Sequence, residues 1–192
     1  GGSGGNAILR MQKEKPEGVD LIAINTDYQD LKKSKADTQI KIENKTSQGL
    51  GTGMDPKIAK EAAESSREEI KNIFQGSDLI LITGGLGGGT CSGASPVVAS
   101  IAKELGILTV AIVTLPFSFE GKKRMEIAKK SKSQLQKEVD ALITIKNDKL
   151  MEVFDLNTSV EDAFWACDDI LRKAVDSILS LVLSSGIVDI DF

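Results

Sequence analysis

At 192 residues, with 41% apolar residues, a net charge of -4 and no histidine, the chain is long enough for one buried core and too acidic for a face built on nucleic-acid phosphates. The missing histidine excludes imidazole bases, His-bound metal and Ser-His or Cys-His nucleophile pairs. The two cysteines, Cys91 and Cys167, have neither metal-ligand nor disulfide-framework spacing, which suits a reducing compartment, and no apolar run reaches the roughly 18 residues of a membrane span. Residues 6–13 read as the start of a helix behind a glycine loop. Residues 19–25 read as a strand and 40–42 as a short edge strand. Residues 56–74 read as one helix, with Pro56 near its start and Gly76 past its end. The runs 78–83 and 107–114 are apolar and β-branched, as buried strands are, and 94–105 between them is an amphipathic helix.

Further along, 116–121 reads as a loop, 122–139 as a charged helix with a solvated lysine face, and 141–145 as a strand. Short helices are expected over 147–153 and 159–164. A longer one is expected over 166–184, with Ile170, Leu171, Ala174, Val175, Ile178, Leu181 and Val182 on one face. Strands that alternate with helices and are apolar throughout predict an α/β fold with a parallel sheet covered on both faces. Ligands of such sheets bind outside the carboxyl ends of the strands.

Thirteen of the 18 glycines fall in three short stretches, at 1–5, 49–53 and 84–93. The third follows a strand and precedes a helix, the arrangement in which free N–H groups and a helix dipole meet an anion. The lysine loop G-x-x-x-x-G-K-[ST] is absent, and neither Gly49-Leu50-Gly51 nor Gly85-Leu86-Gly87 completes G-x-G-x-x-G. Phosphate would therefore be held by backbone N–H groups with the Thr90 and Ser92 hydroxyls. A dinucleotide-dependent oxidoreductase, needing the complete glycine pattern, is the competing class.

Gly87-Gly88-Gly89-Thr90-Cys91-Ser92-Gly93 resembles the tubulin signature G-G-G-T-G-[ST]-G. Gly4-Gly5-Asn6-Ala7, Ala23-Ile24-Asn25-Thr26-Asp27, Gly49-Leu50-Gly51-Thr52-Gly53, Pro116-Phe117-Ser118-Phe119-Glu120-Gly121, Asn147-Asp148-Lys149-Leu150 and Asp189-Ile190-Asp191-Phe192 accompany it in order. On these motifs the chain resembles the tubulin/FtsZ family, in its bacterial cell-division branch. The resemblance implies one Rossmann-like GTPase domain over 1–192, with a mostly parallel sheet and helices on both faces. It would end in a long core helix and lack the family's first strand and C-terminal domain.

The resemblance also implies roles. Gly2, Ser3, Gly4, Gly5 and Asn6 match the first phosphate loop. Thr52 and Gly53 match the loop near the γ-phosphate, and Gly89, Thr90 and Cys91 the α/β-phosphate loop. Glu120 and Arg124 match a pair beside the ribose and phosphates, and Asn147 a guanine- and ribose-side asparagine. Phe164 matches an aromatic that stacks on the base, and Asp168 the group that selects guanine. A carboxylate accepts from the N1–H and N2–H₂ donors that guanine shows side by side and adenine lacks. On the residues alone, Phe164 also reads as a core aromatic, Asp168 as one of two solvated aspartates, and Glu120 with Arg124 as an i,i+4 ion pair.

The family's activity implies GTP or GDP as ligand, Mg²⁺ bound with the nucleotide, no metal held by the protein alone, and a head-to-tail homopolymer in the cytoplasmic division ring. Division proteins and membrane anchors are expected to bind regions outside this sequence, with no nucleic-acid partner and no direct membrane insertion. Asp191 matches an acidic residue of the loop that activates hydrolysis in the neighbouring subunit. Asp189 replaces that loop's asparagine, and Cys91 replaces a signature glycine. These departures raise the alternative of a filament protein that binds GTP and hydrolyses it weakly. They also predict strain at Cys91, if its φ is positive, and a thiol open to alkylation.

Overall fold

A computed structural model describes residues 2–12, 15–43, 51–154 and 158–184, with nothing described for the Ser3 side chain. The first helix, α1 (Gly2–Met11), absorbs the glycines expected as a loop, so residues 2–5 are its first turn. Glycine weakens a helix by about 1 kcal/mol relative to alanine. Here it permits contact instead: a Cβ on Gly4 would lie 3.0 Å from the Thr83 carbonyl oxygen.

Strand β1 (Ile22–Asn25) pairs in parallel with β2 (Thr38–Lys41), Ile22 opposite Thr38. Between them α2 (Tyr28–Lys33), not expected from the sequence, is capped by the Asp27 carboxylate, which accepts from the N–H groups of Gln29 and Asp30. The helix expected over 56–74 is two, α3 (Pro56–Ser65) and α4 (Arg67–Phe74), broken at Ser66. The Ser65 hydroxyl donates back to the Glu61 carbonyl, a bond that competes with the helical ladder.

The central strands are β3 (Leu79–Gly85), β4 (Leu108–Leu115) and β5 (Ala141–Lys146), parallel throughout. Strands β1 and β2 form one sheet and β3, β4 and β5 another, where a single sheet was expected. Helix α5 (Thr90–Glu104) starts inside the glycine signature, four residues before the sequence pattern placed it. It contains Pro96, which has no N–H to give the Ser92 carbonyl. The Ser131 hydroxyl of α6 (Lys122–Leu135) supplies that bond at 2.8 Å and so ties α6 to the first turn of α5.

After β5 come α7 (Asn147–Leu150) and α8 (Val160–Ser184). Helix α8 replaces the two helices expected over 159–184; the Ser159 hydroxyl accepts from the Asp162 N–H and starts it six residues early. Core packing divides by sheet face. Ile8, Met11, Leu171, Val175 and Leu179 lie on the α1/α8 side, and Ile70, Phe74, Val98, Ile101 and Leu135 on the α3–α6 side. Among the described residues no helix is long and apolar enough to cross a membrane.

Candidate functional site

The strands end at a common rim. Thr26, fully buried after β1, shares a 2.7 Å hydroxyl hydrogen bond with Thr90 at the start of α5. The Gly51 N–H donates to the Thr26 carbonyl, bringing the third loop onto the same rim. That loop turns through Gly51 (φ +81°), Gly53 (φ +55°) and Met54 (φ +69°). Met54 is strained by roughly 1–2 kcal/mol there, because a side chain disfavours positive φ. Thr52, 8% exposed, packs against Gly89, where a Cβ would sit 1.8 Å from its hydroxyl oxygen.

Neither α1 nor α5 has an acidic residue in its first turn, and no side chain caps α5. By contrast α2 and α3 are capped by Asp27 and Asp55. The positive end of α5 is thus left uncapped by a side chain where Thr26 meets Thr90, and α1 brings a first turn without an acidic residue to Thr83.

Cys91 has no positive φ, so the expected strain is absent. Its thiol faces inward, where a Cβ on Gly84 would lie 2.6 Å from Sγ, and burial pushes it up. Burial likewise pushes the Cys167 thiol up to about 12, with Asp168 and Glu120 adding repulsion. Both thiols should therefore resist iodoacetamide at pH 8 in the folded chain and react once it is unfolded. Rapid labelling of native Cys91, read by peptide mass, would contradict its inward placement.

The second half of the site gathers around α8. Asp168 is 9% exposed and accepts from the Asn6 amide of α1 at 2.7 Å. Its neighbour Asp169 sits in an ionic network, with Lys173 at 2.8 Å, Arg172 at 3.1 Å and Arg10 at 3.7 Å, and Lys173 with Arg172 holds its carboxyl below the usual range. Arg10 also lies 4.5 Å over the ring of Trp165.

Phe164 meets Phe117 and Phe119 edge to face, at 5.4 and 6.1 Å, and those two stack at 4.8 Å. Glu120 makes the expected pair with Arg124, at 3.2 Å, and also accepts from the Phe117 N–H at 2.8 Å, which fixes the loop beneath the aromatic cluster. Asn147 is buried and its Oδ1 has no hydrogen-bond partner. Such an atom costs about 1–3 kcal/mol unless something meets it.

The structure thus draws together Gly4, Asn6, Thr52, Gly89, Thr90, Cys91, Phe164 and Asp168, with Glu120 and Arg124 beside them. Gly2 and Gly53 have open space where a side chain would be. Asp189 and Asp191 lie outside the described residues. Sequence reasoning assigned no role to Thr26, Phe117 or Phe119; Thr26 and Thr90 are 64 residues apart, and only the fold pairs them.

Parallel strands that end beneath two helix N-termini, with a buried carboxylate and an aromatic cluster beside them, define an α/β domain with a candidate anion-binding rim. Residues 1–155 match the family described as Tubulin/FtsZ family, GTPase domain. The whole chain is 50% identical to cell division protein FtsZ of Buchnera aphidicola subsp. Schizaphis graminum and 46% identical to that of Wigglesworthia glossinidia brevipalpis, covering 50% of each. Its fold is similar to an empty FtsZ dimer from M. jannaschii, with a TM-score of 0.92 and 46% identity over 99% of this chain and 55% of that one. The chain belongs to the tubulin/FtsZ family and spans about half the length of these relatives.

Proposed function

We propose that the chain is the nucleotide-binding part of a cell-division GTPase that binds GTP or GDP at the rim and assembles head to tail. The observation that carries this reading is the Asn6–Asp168 bond. It ties a carboxylate suited to the guanine edge to the first turns of a helix whose N-terminus suits phosphate. The base would stack on Phe164, with Asn147 and its unmet oxygen on the guanine and ribose side. Gly2, Ser3, Gly4, Gly5, Thr52, Gly53, Gly89, Thr90 and Cys91 would line the phosphates, with Glu120 and Arg124 flanking them.

Among the described residues no cluster of three or more His, Cys, Asp or Glu side chains is suited to a metal. Mg²⁺ would be held mainly by phosphate oxygens and water, where it neutralises charge. Hydrolysis is phosphoryl transfer, in which the protein positions and stabilises rather than bonds. The helix N-termini would stabilise the phosphate charge, that of α5 at the α- and β-phosphates, and Asp191 of the next subunit would orient the attacking water, making turnover depend on assembly. Division-ring placement in the cytoplasm, with anchors bound elsewhere, belongs to this reading. Cys91 is unstrained, so the alternative of weak hydrolysis now rests on Asp189.

Calorimetry with GTP, ATP and NAD in Mg²⁺ tests the site. GTP is expected to bind at least about tenfold more tightly than ATP, a difference of about 1.4 kcal/mol. Equal affinity for GTP and ATP would remove the basis for assigning Asp168 to guanine.

A further inference from the structure

Thr26 follows β1 and is fully buried, and its hydroxyl lies 2.7 Å from that of Thr90, the first residue of α5. This is within the usual range for an O–H···O bond. The backbone around Thr26 is pinned. The Ile42 N–H donates to the Asn25 carbonyl, the Asp27 N–H to Asn25 Oδ1, and the Gly51 N–H to the carbonyl of Thr26 itself. Asp27 in turn caps α2. The Thr26 hydroxyl is therefore a fixed point, whereas Thr90 is half-buried and open toward the rim.

Each hydroxyl carries one proton and two acceptor pairs. The two share one proton between them, and there are two ways to do so. If Thr90 donates to Thr26, Thr90 shows only lone pairs to the rim and repels an anion there. If Thr26 donates to Thr90, the Thr90 proton is free to point outward, and the bond that Thr90 accepts makes it a stronger donor. Thr26 is sealed from water, so its proton has no solvent partner to compete for it. The pair stands at the N-terminus of α5, where the helix dipole favours an anion.

We infer that Thr26 is a positioning residue for the nucleotide site: its hydroxyl donates to Thr90 and so turns the Thr90 proton toward a phosphate oxygen. Thr26 touches no ligand and acts through Thr90. No covalent bond forms or breaks and no proton changes its oxygen; the two hydroxyls rotate together. The inference rests on the nucleotide reading above, in which Thr90 lines the α- and β-phosphates that GTP and GDP share.

Calorimetry of GDP binding to the whole chain tests this without hydrolysis. Thr26→Val keeps the volume and removes the hydroxyl, so GDP should bind about three- to tenfold more weakly. Thr26→Ser keeps the hydroxyl and should bind within about twofold of the parent. The deciding readout is Thr90→Val, alone and combined with Thr26→Val. Thr90→Val removes the donor itself, so in its background Thr26→Val should cost nothing further. A residue that only supports the fold would cost as much there as in the parent. Equal losses in the two backgrounds would overturn the inference. So would a Thr26→Val chain that binds like the parent, or a Thr26→Ser chain as weak as Thr26→Val. Thr26→Ala carries the same cycle where the valine variant does not fold. A parent that binds GDP with an additive cycle removes this inference alone; a parent that binds no GDP removes the nucleotide reading and this inference with it.

Discussion

Gly93→Ala should destabilise the domain by about 3 kcal/mol or more and abolish nucleotide binding with it. Gly93 sits in α5 where α3 crosses it. An added Cβ would lie 2.0 Å from the Pro56 carbonyl oxygen, 2.8 Å from Ala59 Cβ and 2.9 Å from the Lys60 N–H nitrogen. Two of these atoms are backbone and the third is a β-carbon fixed to it, so no side chain can swing aside. Helix α3 must move bodily away from α5 and leave the gap that overpacking always makes elsewhere. Because α3 starts at Pro56, its displacement carries the 51–55 loop off the rim. Urea denaturation reads the loss; a shift below about 1 kcal/mol would show that α3 is not seated as described. Gly89→Ala makes a useful comparison. Its added Cβ would meet the Thr52 hydroxyl at 1.8 Å, which can rotate away, but also Thr52 Cβ at 2.7 Å and the Asp55 N–H nitrogen at 3.1 Å, which cannot, so the 51–55 loop must shift and both stability and the binding that Thr52 supports should fall.

The second large effect is expected at Asp168. Asp168→Asn keeps the volume and an acceptor for the Asn6 amide but loses the charge, and it presents an NH₂ toward the donors of guanine. Hydrogen bonds to a charged group are worth about 1.5–3 kcal/mol, so GTP affinity should fall about 10- to 100-fold. ATP affinity should hardly change, so the selectivity is lost along with the strength. Asn6→Ala leaves the carboxylate in place but untethered and should cost about tenfold at most. Calorimetry on the three proteins, each checked for a native far-ultraviolet spectrum, decides it. A D168N variant that binds GTP as tightly as the parent would mean the carboxylate belongs to the α1–α8 contact and not to the base.

Much of this was legible in the sequence where one strong pattern acted alone. The apolar runs at 78–83 and 107–114 are β3 and β4 to within two residues, because a strand buried on both faces needs little beyond continuous hydrophobicity. Boundaries set by tertiary contacts were not legible. The glycines of α1 look like a loop by propensity, yet they are helical where Gly4 packs against Thr83. The start of α5 was hidden by Gly93 and Pro96, each a weak helix residue accommodated by a neighbour far away in sequence, α3 and Ser131.

The site shows the same division. Asp168 and Asp169 are alike in composition, yet one is buried against Asn6 and the other lies among three cations. The distinguishing signal was present in the spacing: 168, 171 and 175 share the buried stripe of α8, and 169 does not. The aromatic cluster had no such signal, since Phe117 and Phe164 lie on segments that only the fold brings together.

Trp165 is the chain's single tryptophan, and its ring lies under the Arg10 guanidinium. It is one residue from Phe164 and three from Asp168, on the helix that faces α1, and 60% of it is open to solvent. An indole held against a cation and half in water changes its emission when either neighbour moves. Arg10 belongs to the helix that also holds Asn6, one turn earlier. Events at the rim therefore reach the fluorophore along one rigid rod, and the protein carries its own optical reporter of ligand occupancy, with no other indole to blur the signal.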